Sequence, residues 1–236
     1  SGIYYKIPVY TALGFKDAEG NFINKDMDYT KSTHFVLGTE FLPSNALRFT
    51  LEGFLKKYGD YPVSERTGVS LGNQGTEFGS VGSERILTIG KGESYGIELF
   101  AQKKMTKNLF YTISYSFVVS KFSGKEKKLI RSSWDNRHLF SGMAGYKFPK
   151  NWDIGIKYRY AGGNPYTPFD LSTSQQNYLL LGQGILDVQA LNSLRLDPYN
   201  QLDLRVDKTY YFQNTSLNFY LDMQNVLMHK NESNPS

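Results

Sequence analysis

Between residues 109 and 120, apolar and polar side chains alternate. Leu109, Tyr111, Ile113, Tyr115, Phe117 and Val119 share one parity; Thr112, Ser114, Ser116 and Ser120 share the other, which Phe110 and Val118 interrupt. Residues 152–161 repeat the pattern with more charge: Trp152, Ile154, Ile156, Tyr158 and Tyr160 alternate with Asp153, Gly155, Lys157, Arg159 and Ala161. Leu202, Leu204 and Val206 alternate with Asp203, Arg205 and Asp207, and Leu217, Phe219, Leu221 and Met223 with Asn218, Tyr220, Asp222 and Gln224. Weaker copies lie at 35–41, 47–55, 95–105 and 140–148, and residues 2–9 supply one more. Side chains on a strand repeat every two residues, so each segment predicts a strand with one apolar and one polar face. Lengths of about 9–13 residues suit a tilted strand crossing a bilayer and exceed the ~5–6 usual in soluble sheets.

The connections sharpen this. Short joints are predicted at Pro43-Ser44-Asn45, Thr106-Lys107-Asn108, Pro149-Lys150-Asn151 and Gln213-Asn214-Thr215, where Asn and Pro supply turn geometry. Long polar or Gly-rich connections, at 11–33, 57–91, 123–135 and 162–200, alternate with them. Successive strands of an up-and-down sheet visit opposite rims, so the short turns fall on one rim and the long loops on the other. That is the asymmetry of outer-membrane barrels, with short periplasmic turns and long extracellular loops; a large soluble β-protein is the competing reading. The predicted fold is all-β, an antiparallel up-and-down transmembrane β-barrel segment of about nine strands.

Composition agrees. Mean hydropathy is -0.44, and no run approaches the roughly 18 apolar residues of a spanning helix. Yet the chain holds 18 Tyr and 16 Phe among 236 residues, as expected where only alternate residues face lipid. The absence of cysteine excludes disulfides and thiolate metal sites. The net charge of +5, read as spread along the chain, gives no case for nucleic acid. Ser1 begins in a strand-like segment with no signal peptide, which reads as a mature chain or an excised fragment.

Catalytic signatures are scarce. His34, His138 and His229 are far apart, no Gly-x-Ser-x-Gly motif occurs, and the Gly-rich tract 68–75 lacks the Lys-Ser/Thr of a phosphate cradle. The tract reads as a mobile surface loop. No enzyme, metal site or cofactor is expected. The charged strand residues Glu40, Arg48, Glu52, Glu98, Lys157, Arg159, Asp203, Arg205, Asp207 and Asp222 fall on the non-lipid face. They read as a hydrated wall whose opposite charges compensate across strands, or as a face that meets a plug or solute.

Several segments resemble the C-terminal barrel of TonB-dependent outer-membrane transporters, of the Bacteroidetes type. Gly92-Glu93-Ser94-Tyr95-Gly96-Ile97-Glu98-Leu99 is similar to the family's G-x-x-x-G-x-E-L strand opening, and Trp134-Asp135-Asn136-Arg137-His138 to its W-D-x-R-H strand start. Asn164-Pro165-Tyr166-Thr167-Pro168, after Gly162-Gly163, resembles the G-x-P-Y-T-P exit into an outer loop. Tyr199-Asn200-Gln201-Leu202-Asp203-Leu204-Arg205-Val206 and Tyr220-Leu221-Asp222-Met223-Gln224-Asn225-Val226 are similar to two later strands.

The resemblance implies a barrel of roughly 22 strands, of which this chain supplies the C-terminal portion. The plug domain, the TonB-contacting box and a final strand beyond residues 231–236 are expected to lie outside it. Implied partners are outer-membrane lipid, the protein's own plug and through it TonB, and an unidentified nutrient ligand. Tyr158, Tyr160, Tyr166 and Trp152 are expected to anchor at interfaces. Trp134, Tyr166 and Phe169 are the candidate ligand contacts in the loops. Energised nutrient uptake is the expected function; a passive or adhesive outer-membrane barrel without TonB coupling, and a soluble β-rich protein, remain open.

Overall fold

The computed structural model describes residues 1–232; the segment 233–236, part of the expectation about a missing strand, lies outside them. The strands are β1 (Gly2–Lys6), β2 (Thr30–Ser44), β3 (Leu47–Ser64), β4 (Ile86–Thr106), β5 (Leu109–Ser123), β6 (Ile130–Arg131), β7 (Arg137–Phe148), β8 (Trp152–Ala161), β9 (Pro165–Tyr166), β10 (Leu194–Arg195), β11 (Tyr199–Tyr211) and β12 (Ser216–Met223). Two helices, α1 (Tyr10–Leu13) and α2 (Leu171–Leu181), lie in the connections. One open antiparallel sheet runs β1-β2-β3-β4-β5-β7-β8-β11-β12, with β6 continuing beside β5 above β7 and β9–β10 forming a separate ribbon. Each path strand pairs with the next in sequence, giving an up-and-down wall.

The register fixes the two faces. Glu52 stands opposite Glu98, Glu98 opposite Ser116, Lys157 opposite Asp203, and Arg205 opposite Asp222. Directly opposed residues point the same way, so one face, largely polar but with Leu139 and Met143 on β7, runs from β2 to β12. All ten charged strand residues named above lie on it. The reverse face carries Leu37, Leu51, Leu99, Ile113, Ile154, Ile156 and Leu221, all exposed. In water such a patch would drive aggregation; against lipid it is the expected outer surface. Trp152, Tyr158 and Tyr160 take the outward parity, Trp152 at the short-turn rim and the tyrosines toward the other, as interfacial anchors do.

The short turns form where expected, though their chemistry differs in detail. Between β4 and β5 the left-handed residue is Lys107, φ 57°, rather than its neighbour Asn108, whereas Lys150 and Asn151 both take φ 61° between β7 and β8. The long connections depart further. β3 and β4 span 18 and 21 residues, so 57–64 and 86–91 are strand, not loop, and rise beyond the apolar belt. Register shifts at Tyr58/Tyr61 and Tyr61/Val63 bend this extension, as bulges do.

The Gly-rich tract is not a mobile surface loop. Val69, Ser70, Leu71, Asn73 and Gln74 are all buried. Gly72 lies against the ring of Phe122, where a Cβ would come within 2.6 Å of ring carbons. Phe122 is on the inward face of β5, opposite Gly92, so this loop folds over the inside of the strand tops. Here, not in the wall, sits the apolar core: Ala12, Leu71 and Ile86, packed by Met27, Tyr61 and Val81.

Candidate functional site

Above the wall, three long connections are tied into one cap by side chains whose partners lie far away in sequence. Asn73 Nδ2 donates to the carbonyls of Ile130 (3.0 Å) and Arg131 (2.8 Å). Asn192 Nδ2 donates to the carbonyls of Asn73 (2.8 Å) and Arg131 (2.7 Å). The Thr167 backbone N–H donates to Glu77 Oε1 at 3.1 Å, and Ser133 Oγ to the Gln74 carbonyl at 3.1 Å. Most buried polar groups are partnered in this way, and such networks fix one arrangement of the loops that share them.

Asp135 is the centre of charge. Fully buried, it accepts from the Ser120 backbone N–H (2.8 Å), Arg137 Nε (2.9 Å) and Arg195 Nη2 (2.7 Å). Arg195 reaches it from 60 residues along the chain and also donates to the Gly163 carbonyl. Arg137 holds φ at 67°, a conformation that costs a residue other than glycine about 1 kcal/mol or more, and the network keeps it there. A Cβ at Gly163 would collide with the Leu196 carbonyl, and one at Gly124 with the Gly68 carbonyl; both sites require glycine because backbones cross there.

The candidate ligand contacts divide. Trp134, 60% exposed, and the half-buried Tyr166 line one cleft of about 80 Å³ with Glu77, Ser133 and Asn164. Tyr166 belongs to the β9–β10 ribbon in the cap, so it does not anchor at the belt as expected. Phe169 is elsewhere, bridged to Leu186 and packed near Gly184. A larger cavity of about 300 Å³ lies between the tract 66–73 and the hairpin 124–130, with Val188 and Leu191 as an apolar wall. Arg66, Lys125 and Lys128 line it. So does Asn73, whose Oδ1 is buried and without a partner among the described residues. Sequence reading missed this cavity, since Asn73 offers no local signal of burial.

On the inward face, compensation is partial. Glu40 pairs with Arg48 (2.9 Å), Asp207 with Arg205 (2.8 Å) and Asp203 with Arg159 (3.6 Å). Glu52 and Glu98 face each other directly, a destabilising arrangement for like charges, and neither has a cation within ion-pair distance among the described residues. Asp153 and Asp207 are likewise opposed.

A membrane wall, polar inside and apolar outside, capped on one rim by knitted loops, defines an outer-membrane β-barrel. Residues 4–226 match the family model for the TonB dependent receptor-like β-barrel, and the chain belongs to that family. Among solved structures it is similar to FpvAI in its complex with pyocin S2, with TM-score 0.61 and 13% identity, covering 95% of this chain and 26% of that one. The pyoverdine receptor FpvA of Pseudomonas aeruginosa bound to pyoverdine gives TM-score 0.55 at 13% identity, over 92% and 28%. The FrpB iron transporter of Neisseria meningitidis gives 0.53 at 14%, over 85% and 27%. The chain thus spans about a quarter of the length of these relatives. No curated protein matches. Members of the family are outer-membrane receptors and transporters, and this chain is an outer-membrane barrel segment.

Proposed function

We propose that this chain is barrel wall and outer loops of a transporter that takes up a nutrient with energy delivered through TonB, and that it lies toward the C-terminus of that protein. The inward Glu52–Glu98 pair carries this reading. Two opposed carboxylates with no ion pair among the described residues of their own wall call for positive charge from inside the barrel, which a plug domain supplies and a passive open pore does not. The loop cap supports capture of ligand: its cavity of about 300 Å³ is at the lower end of small-molecule sites, with Trp134 and Tyr166 beside a second opening. Assignment to the Bacteroidetes type rests on the motif series alone.

The test is uptake by cells expressing the full-length receptor, with and without functional TonB. Accumulation of a nutrient that requires both receptor and TonB supports the reading. Equal accumulation without TonB would establish a passive barrel, and no receptor-dependent accumulation of any nutrient, with intact surface binding to other cells, an adhesive one.

A further inference from the structure

Just above its apolar belt, the outward face of the wall turns cationic beyond β1, whose Ile3 and Tyr5 stand opposite Thr33 and Lys31. The last apolar row reads Phe35, Leu55 and Tyr95 across β2–β4, with Val119 of β5 in register but buried. Two residues further along each strand, the same face reads Thr33, Lys57, Glu93 and Lys121, continued on β6 by Arg131. Lys31 and Lys91 follow on that face one step higher. The chain's positive charge is concentrated rather than evenly spread. Residues 121–131 hold five cations against one carboxylate, Glu126; Lys125 and Lys128 line the cap cavity, and Lys121 and Arg131 stand in this row.

Among the described residues, no ion pair involves Lys31, Lys57, Lys91, Lys121 or Arg131, although Glu93 stands between Lys57 and Lys121 in register. Lys57, Lys91 and Arg131 are exposed. The inward positions at this height, Lys56, Tyr58, Ser94, Ser120 and Phe122, carry a single cation. The excess is therefore specific to the side that meets lipid, at the level where hydrocarbon gives way to head groups.

We propose that this row binds phosphate groups of phosphorylated lipid in the outer leaflet. Strands lie about 5 Å apart, so Lys121 and Arg131 can share one phosphate while Lys57, about 10 Å from Lys121, takes a second. Arg131 offers a planar fork suited to phosphate, and the lysines lay their stems along the belt with the ammonium groups above it. The site is independent of what the barrel transports.

The test uses the full-length receptor in neutral detergent, titrated with bisphosphorylated lipid A, with phosphatidylcholine and with inorganic phosphate. At roughly fivefold per cation near an anionic lipid surface, the K57Q/K121Q/R131Q variant should bind lipid A about 100-fold more weakly, with a flatter salt dependence. The K25Q/K150Q/K230Q variant removes equal charge elsewhere and should bind as the parent does. An unchanged affinity in the first variant, an equal loss in both, or inorganic phosphate binding as tightly as lipid A would each overturn the proposal. Thermal unfolding of the variants in the same detergent separates a lost contact from a lost fold.

Discussion

Asp135 joins the top of β5 to two loops through three hydrogen-bond donors, and its removal takes the carboxylate from Arg137 and Arg195, both only partly exposed. Losing hydrogen bonds to a charged group costs about 1.5–3 kcal/mol. Asp135→Ala should therefore loosen the cap while leaving the wall intact. Limited proteolysis of the receptor, with new cleavage between residues 162 and 198, would register this; unchanged protection would refute it. The sequence held half the signal. Asp135 and Arg137 sit in a five-residue motif whose aromatic, Trp134, attracted the functional reading, but no local pattern announces Arg195, because only folding brings a residue 60 positions away. Asp170 offers a second test. Its side chain caps α2, and hydrogen bonds from the Thr173 hydroxyl and backbone N–H, then from Ser172, hold its carboxyl below the ordinary 3.8. A depressed folded value means the cap's contribution is present above about pH 4 and is lost as pH falls through the folded value. Protection of the α2 amides against hydrogen exchange should decline below pH 4, and Asp170→Asn should flatten that decline.

At the scale of elements, the wall was legible and the cap was not. A period of two is printed in the local sequence, and the observed β8 coincides with the alternation at residues 152–161. The faces could be assigned before any coordinates, since a barrel strand has only two environments to choose between. The cap obeys no period. Asn73 and Asn192 are polar residues buried with hydrogen bonds to distant backbone, and α2 is marked only by its caps, Asp170 and Gly182 with φ 64°. The two-environment rule yields a paired prediction. Leu99 faces lipid midway up the belt and Glu98 faces the lumen. Leu99→Arg should destabilise the receptor by about 2–4 kcal/mol, the depth-dependent cost of a cation on the lipid face. Glu98→Gln should cost far less, because its position faces the lumen rather than lipid and Glu52 remains to meet the charge proposed for the plug. Urea unfolding in lipid bilayers distinguishes them; equal effects would contradict the assigned faces.

For the whole molecule, the governing fact is that the sheet is open. A closed barrel has no edges, whereas this wall ends at β1 on one side and β12 on the other, each with one row of backbone N–H and C=O groups facing no strand among the described residues. Within a bilayer an unpaired backbone group costs several kcal/mol. The eight residues of β12 are therefore a strong template for pairing, and the exposed Leu217, Phe219 and Leu221 along it add apolar surface. In the intact receptor, neighbouring barrel strands would satisfy both edges. The 236-residue chain refolded alone should instead form concentration-dependent oligomers through those edges, even in detergent. The lack of native cysteine makes this direct to follow. Single Tyr4→Cys and Tyr220→Cys variants, placed on β1 and β12, should form intermolecular disulfides in the isolated chain. The same substitutions in the full-length receptor should stay uncross-linked, because both edges are then occupied. A monodisperse, uncross-linked isolated chain would mean that the wall closes on itself, and with it the idea of a large barrel shared with further strands would fall.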